Sequence, residues 1–352
     1  GERVGRVGRE DDRPGAGGGR PHRGGGGDGG LAHAALAGEE ERAARRHPGA
    51  SVPASTRALS AGRAVWVILW AVRRNRGIVF DEARYPGLAA LYRSSVRARY
   101  FGLAASAAVF IVAASVGRLG RGLFWAPAAA GAVLIIAVMI GQQLAYGGAR
   151  APGVAAVERR LVRHYLPRAL SIVVLALLVV LAGAAVWTTV AASPDSLVLA
   201  RAFSVTGTQT IMTETGSEVV AVGNTRTPFP GAYYTLMLAI GLPIVVVSGA
   251  IALWLTARRP RNGADSELVP ADDTLRRQTA EGIVAAVGLA VSLSLLGVAA
   301  SAAMAVGGMA EFGVGYTLGA VAFGIAALLS LALASCCAVL LLMPSGGVVR
   351  KS

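Results

Sequence analysis

Residues 283–305 read IVAAVGLAVSLSLLGVAASAAMA and contain no charged side chain. At a rise of about 1.5 Å per residue, a helix of this length crosses the hydrocarbon core of a bilayer, which is about 30 Å thick. The whole chain of 352 residues is 54% hydrophobic, which exceeds what a water-soluble domain of this size hides in one core. The run therefore predicts a transmembrane helix.

Five other runs reach or approach the same length, and none of the six contains Asp, Glu, Lys, Arg or His. The six predicted spans are 101–117, 123–142, 169–191, 233–256, 283–305 and 316–343. We therefore predict an all-α fold, a polytopic transmembrane helix bundle of about six spans. It divides into a six-span membrane domain at 101–343 and a cytoplasmic tail at 344–352, with an external loop at 193–232.

Arginine lies in the gaps between the runs, and its distribution predicts the orientation. In a six-helix count, two arginine-rich loops fall on the same side as the N-terminal region and as Arg350 and Lys351. Cytoplasmic loops are enriched in Lys and Arg, so we predict that both termini are cytoplasmic. The two loops carry Arg150, Arg159, Arg160, Arg163 and Arg168, and Arg258, Arg259, Arg261, Arg276 and Arg277. The turn 118–122 (RLGRG) departs from this pattern by placing two arginines outside.

The net charge of +14 also indicates a partner and a location. Positive charge beside membrane runs suits a lipid bilayer with anionic headgroups, and it predicts no nucleic-acid partner. Nearly every basic residue is arginine, and Ala and Gly are abundant, which is typical of GC-rich bacterial genomes. We therefore expect the bacterial cytoplasmic (inner) membrane.

The chain before the first span divides into two predicted parts. Residues 1–60 are rich in Gly and Arg without a hydrophobic period, so we expect a disordered leader. This stretch has no methionine, so we expect a trimmed fragment, an alternative-codon start or an over-extended gene model. Residues 61–100 are expected to form one or two cytoplasmic interfacial helices. The segment 64–72 (AVWVILWAV) is too short to span, and Trp66 and Trp70 share one face as interfacial anchors. A seventh span starting near Leu59 is the alternative.

The external loop is the most distinctive candidate site. Thr206, Thr208 and Thr210 alternate at period two, which suits a strand or a re-entrant stretch with hydroxyls on one face. Glu214 and Glu218 follow, one helical turn apart. One hypothesis is that these oxygens contact an ion or a polar substrate, and the alternative is an ordered external cap.

Two glycine-containing motifs lie inside the predicted spans. Gly241 and Pro243 predict a helix kink, which lines substrate sites in some transporters and serves packing in other membrane proteins. Gly315 and Gly319 form a small-xxx-small pair that favours close helix packing.

Several activities lack their residues. A P-loop needs a lysine after its Gly-rich turn, and no lysine precedes Lys351. The histidines are scattered and no metal-ligand motif occurs, so we predict no metal, no cofactor and no catalytic site. Cys336 and Cys337 are adjacent within an apolar run and predict no disulfide.

The layout from about residue 60 onward resembles that of the type-two ABC exporter permeases, which have six spans, cytoplasmic termini and a surface helix before the first span. The resemblance includes no sequence motif. It fails between the last two spans, where that family has its larger external segment and this chain has only about 307–315, so no family is assigned. The preferred function is a transport-permease-like subunit without its own ATPase, with a separate ATPase subunit or a second copy as partner. The alternative is a non-transporting scaffold or assembly factor that binds partners through its loops.

The predicted topology is tested by cysteine accessibility. Thr210→Cys should react with a membrane-impermeant maleimide added outside intact cells, whereas His164→Cys and Ser266→Cys should react only after the membrane is opened. Labelling of position 210 from the cytoplasmic side would contradict this topology.

Overall fold

The computed structural model describes residues 79–81, 86–147, 162–213, 216–258, 268–343 and 347–349. Six helices in this part of the chain are long and apolar enough to cross a membrane, which confirms the predicted all-α bundle. They are α1 (Pro86–Ser115), α2 (Arg121–Gly147), α3 (Arg168–Ala191), α4 (Ala232–Arg258), α5 (Leu268–Gly307) and α6 (Val314–Leu342). The predicted leader and the segment with Trp66 and Trp70 lie outside the described residues.

Short strands mark the two ends of the bundle. β1 (Val79–Asp81) pairs in parallel with β5 (Gly347–Val349), just before α1 and just after α6, and we name this the terminal end. β2 (Ser193–Pro194), β3 (Ala200–Thr213) and β4 (Gly216–Arg226) form an antiparallel sheet between α3 and α4, and we name this the hairpin end. The chain segments just before α1 and just after α6 therefore meet at the same end of the bundle, as they must when the number of spans is even.

Helix α5 lies at the centre of the bundle. It contacts α2, α3, α4 and α6, and 67% of its apolar window is buried, against 17% for the windows of α1 and α3. The pairs α1–α2 and α5–α6 are antiparallel helix hairpins with short turns. Helix α4 packs on α2, but α3 and α4 scarcely touch each other.

Small residues allow the close approach of these helices. A Cβ atom on Gly288 of α5 would lie 2.8 Å from Val174 Cγ2 of α3 and 2.9 Å from Cys337 Sγ of α6. A Cβ atom on Gly131 of α2 would lie 2.7 Å from Ala290 Cβ of α5. Lipid gives helices no hydrophobic drive to associate, so van der Waals contact at small residues stabilises the bundle.

Two helices extend beyond their predicted spans. Residues 86–100, expected as a separate surface helix, are continuous with the first span in α1. Helix α5 begins at Leu268 rather than near 283 and has 40 residues, about 60 Å of helix. Both extensions carry charges that are buried against other helices. Hydropathy alone therefore places the starts of these two helices too late in the sequence.

Arg276 joins α5 to the last turn of α4. Its side chain is fully buried and pairs with Asp272 one turn earlier, with Nε and Nη2 each 2.9 Å from Oδ2. Its Nη1 also donates to the carbonyls of Thr256 (3.3 Å) and Ala257 (3.5 Å). The last carbonyls of a helix lack partners within the helix and carry partial negative charge. The guanidinium therefore caps α4 and fixes it to α5.

A second buried arginine fixes α1 to the same helix. Arg99 Nη2 donates to the carbonyl of Gln278 at 3.4 Å. A Cβ atom on Gly282 would lie 2.9 Å from that Nη2, so the guanidinium packs closely on the helix backbone at this glycine. Glu281 is also buried at this level. The terminal end of the bundle thus has an ionic interior.

Arg276→Leu should lower the free energy of unfolding by about 3 kcal/mol, because it leaves the Asp272 carboxylate buried without this ion pair and the carbonyls of α4 without their cap. Arg277 is exposed on the next position of the same helix, so Arg277→Leu should change stability by about 0.5 kcal/mol or less. Thermal unfolding in detergent measures both variants. Equal shifts in the midpoint temperature would contradict the proposed role of Arg276.

Candidate functional site

A groove lies between α3 and α4, where the two helices diverge. Its hairpin-end part has a volume of about 690 Å³ and its terminal-end part about 290 Å³. Leu178 and Val246 line both parts, so the two parts adjoin each other. Val284 and Val287 of α5 line its terminal-end part. Other side chains along its walls include Leu175, Ala182, Val186, Ala239, Leu242 and Ala250.

The length of the groove matches a bilayer. Along α3 its lining runs from Ser171 to Val190, which is about 28 Å of helix. The hydrocarbon core is about 30 Å thick. The groove, which runs along the outside of the bundle, is thus about as long as the apolar layer is thick.

Three hydroxyl groups are the main polar features of the groove. Near the hairpin end, the Oγ1 atoms of Thr189 and Thr235 are 2.7 Å apart and join α3 to α4. Near the terminal end, Ser171 Oγ is buried and has no hydrogen-bonding partner among the described residues. A buried hydroxyl without a partner costs about 1–3 kcal/mol, so this atom suits a site where a ligand supplies the partner.

The structure gives Gly241 and Pro243 different roles. Helix α4 runs through both residues without interruption. Pro243 lines the groove. Gly241 faces α2 instead, where a Cβ atom would lie 2.6 Å from Ala128 Cβ and 3.1 Å from the Trp125 ring. The glycine therefore permits close packing on one side of α4, and the proline lies on the other side.

The two glycines of the predicted packing pair in α6 also differ in what lies next to them. A Cβ atom on Gly319 would lie 3.3 Å from Val306 Cγ1, so this residue faces α5. Nothing lies within 4 Å of the same position on Gly315. Only Gly319 is placed where a small residue matters for contact within the chain.

The predicted external loop forms a β-hairpin rather than a re-entrant segment. Strands β3 and β4 pair from Phe203↔Arg226 to Thr213↔Gly216. At about 3.3 Å per residue this two-stranded ribbon of β3 and β4 is over 30 Å long. An aromatic cluster holds its base, since the Phe203 ring is 5.0 Å from Phe229 and 6.1 Å from Tyr316, and the Trp187 ring is 6.1 Å from Phe229.

The register separates the loop residues that the sequence had grouped. Thr206 and Thr208 are exposed, and Thr206, Thr208 and Thr210 occupy one face of the ribbon. Position 218 pairs with Ile211, an odd position of β3, and therefore belongs to the opposite face. Glu214 lies outside the described residues. The ribbon thus does not place the threonines and position 218 together.

Asp195 braces the base of the hairpin. Its side chain is 3% exposed, and its Oδ1 accepts hydrogen bonds from the Leu197 N–H (2.9 Å) and the Leu199 N–H (2.8 Å). Arg201 Nε of β3 donates to Oδ2. Burial raises the pKa of Asp195, but the two backbone hydrogen bonds and Arg201 outweigh burial and hold the pKa below its ordinary value.

Metal chemistry finds no support in this part of the chain. Among the described residues, no three His, Cys, Asp or Glu side chains are grouped so that they could hold a metal ion. Cys336 and Cys337 are buried free thiols. The groove is therefore the candidate site with the most developed geometry.

Sequence reasoning missed the polar residues of this groove. Ser171 is an isolated hydroxyl residue in an apolar run, Thr189 follows Thr188 near the end of the same run, and Thr235 lies at the start of another. Most such residues bond a carbonyl of their own helix, so the sequence gives them no distinction. Their role depends on which helices diverge, and a hydropathy pattern does not contain that information.

Comparison of the chain with models of protein families, with curated proteins and with solved structures finds no match. The class that the fold defines is a multi-pass membrane protein, and any finer function has to be argued from the geometry.

Asp195→Asn should loosen the base of the hairpin at neutral pH, because the amide loses the charge that Arg201 and two N–H groups stabilise. Since the folded pKa is lowered, the stabilisation is fully present above the unfolded pKa of about 3.9 and is lost as pH falls through the folded pKa. Amide hydrogen exchange of residues 195–205 measures this, and wild type should approach the variant only in acid.

The control is Glu311→Gln, an exposed carboxylate at the same end that accepts a hydrogen bond from Asn224 at 3.2 Å. It should leave exchange at 195–205 unchanged. Similar protection in wild type and Asp195→Asn at neutral pH would refute the bracing role.

Proposed function

We propose that this protein is a transport-permease-like membrane protein whose substrate moves along the α3–α4 groove, and that it has no ATPase of its own. The observation that carries the proposal is the groove itself: an apolar channel open at the side, about as long as the bilayer is thick, between two helices that scarcely touch.

The chemistry of the walls favours a substrate with an apolar tail. The lining is almost wholly Ala, Val and Leu, with hydroxyl groups near the two ends. Charged or strongly polar solutes would lose hydration in such a groove without gaining hydrogen bonds. A lipid or a lipid-linked molecule keeps its tail in an apolar environment throughout, so the groove costs it little.

The packing supports movement at this place. Helix α4 is fixed to α2 through Gly241 and to α5 through Arg276. Helix α3 packs mainly on α5. It meets α4 at few places, one of which is the hydroxyl pair of Thr189 and Thr235. Separation of α3 from α4 therefore breaks few contacts, while α4 and α5 form the wall and floor of the groove.

Blocking the groove tests the proposal. Purified protein is reconstituted into vesicles of phosphatidylcholine and phosphatidylglycerol with traces of acyl-NBD-labelled lipid of either headgroup, and exchange between leaflets is followed by dithionite quenching. We expect exchange above that of protein-free vesicles without added nucleotide, since a continuous path lowers the barrier in both directions. Ala182 is exposed on the wall of the groove, so Ala182→Trp fills the groove and should slow exchange about tenfold, which corresponds to about 1.4 kcal/mol in the barrier.

Ala176→Trp is the matched control. Ala176 is exposed on α3 about 160° around the helix axis from the groove residue Leu178, at about 100° per residue, so a tryptophan there faces lipid. It should leave exchange at the wild-type rate. Equal rates in the two tryptophan variants, or no exchange above protein-free vesicles, would exclude the groove as a transport path.

A membrane scaffold is the second candidate function, and the ribbon of β3 and β4 is the feature that favours it. Beyond Gly207, which lies against Phe312, the ribbon carries exposed apolar surface, with Val219 65% exposed. Exposed strand edges and apolar positions suit strand addition by a partner. Replacing residues 208–221 by an Asn-Gly turn separates the two functions: lipid exchange should persist if the groove acts alone. Loss of exchange in this variant would favour the ribbon as the working element.

A further inference from the structure

We infer, on the basis of the proposed function, that the terminal end of the groove binds the phosphate headgroup of an anionic phospholipid while an acyl chain occupies the groove. Four side chains carry this: Ser171, Arg168, Trp254 and Arg258. Together with the apolar lining they present the chemistry of both halves of such a lipid.

The unpartnered hydroxyl of Ser171 is the first observation. Its Oγ atom is buried and lacks a hydrogen-bonding partner among the described residues, and the residue lines the terminal-end part of the groove. Phosphate and ester oxygens are strong acceptors, and rotation of the Ser171 side chain toward the groove lets the hydroxyl donate to them. A lipid in the groove thus satisfies an atom that the protein leaves unsatisfied.

Positive charge surrounds this hydroxyl. Arg168 is exposed and lies three residues before Ser171, which places it on the same side of α3 one turn nearer the membrane surface. Arg163 is exposed in the segment that leads into α3. Arg93, Arg97 and Arg277 are also exposed toward the terminal end. The nearby carboxylates are engaged elsewhere, since Asp272 pairs with Arg276 and Asp273 accepts from the Tyr165 hydroxyl.

The opposite wall supplies a second cation at the depth of a headgroup. Trp254 is 45% exposed and follows Ala250 of the groove by one turn of α4. The Arg258 guanidinium stacks on its ring, with Cζ 4.1 Å from the centroid. Tryptophan favours the membrane–water boundary, and arginine binds phosphate with two donors. The two walls therefore flank the groove with guanidinium groups where its apolar lining ends.

Photolabelling tests the inference without requiring transport. Full-length protein in phosphatidylcholine vesicles is exposed to a trace of phosphatidylglycerol or phosphatidylcholine with a diazirine in the acyl chain, and labelled peptides are mapped. Phosphatidylglycerol should label residues 166–190 and 239–258 about fivefold more strongly, as expected for a basic residue beside an anionic headgroup. Arg168→Gln with Ser171→Ala should lower labelling to the phosphatidylcholine level, and Arg168→Lys with Ser171 intact should largely retain it.

Arg97→Gln is the control, because Arg97 is an exposed arginine of α1, which does not line the groove. It should leave labelling unchanged. Equal labelling by the two lipids, or an equal loss in Arg97→Gln, would overturn the inference, as would displacement of the label by millimolar glycerol phosphate, which would indicate a water-soluble ligand.

The two proposals fail separately. Strong and selective labelling without lipid exchange would leave the headgroup site standing and remove the transport function. Exchange that Ala182→Trp blocks, but with equal labelling by both lipids, would leave transport standing and remove the headgroup site.

Discussion

The close approach of four helices to α5 is the constraint on which the rest of the structure depends. In lipid, apolar side chains gain little by leaving the solvent, so the helices associate through contact and through buried polar groups. Gly288 lets α3 and α6 meet α5 at one level, and Gly131 does the same for α2. At the terminal end, where α5 leaves the apolar layer, Arg276 and Arg99 take over from the small residues and fix α4 and α1.

The groove follows from that arrangement. Only a few helices can pack around one central helix, and α2, α4 and α6 cover most of the surface of α5. Helix α3 finds its place beside Gly288, but α4 is drawn away toward α2, where Gly241 permits a close approach. The two helices that follow one another in the chain are thus separated in space. The long connection between them permits this separation, because a β-hairpin rather than a tight turn joins the two helices.

The sequence predicted the parts of the fold that hydropathy determines. Each of the six predicted apolar runs forms a helix in the structure, since length and lack of charge are sufficient to specify a span. It did not predict the early start of α5, because Asp272 and Arg276 look like loop residues until their burial against Thr256 is known. Threonine alternation suggested a strand, whereas Glu214 and Glu218 were noted for helical spacing, and the strand register places positions 210 and 218 on opposite faces. The groove depends on which helices diverge, and a single sequence does not encode that in any local pattern.

The pairing of β1 with β5 has a consequence for assembly in the cell. These strands flank the bundle, at Val79–Asp81 and Gly347–Val349, so their hydrogen bonds form only after the ribosome has synthesised both. By then all six helices have been made. The strand pair then links the segment before α1 to the segment after α6. The strand pair therefore closes the membrane domain as a late step of biogenesis, after the spans have been delivered to the bilayer one after another.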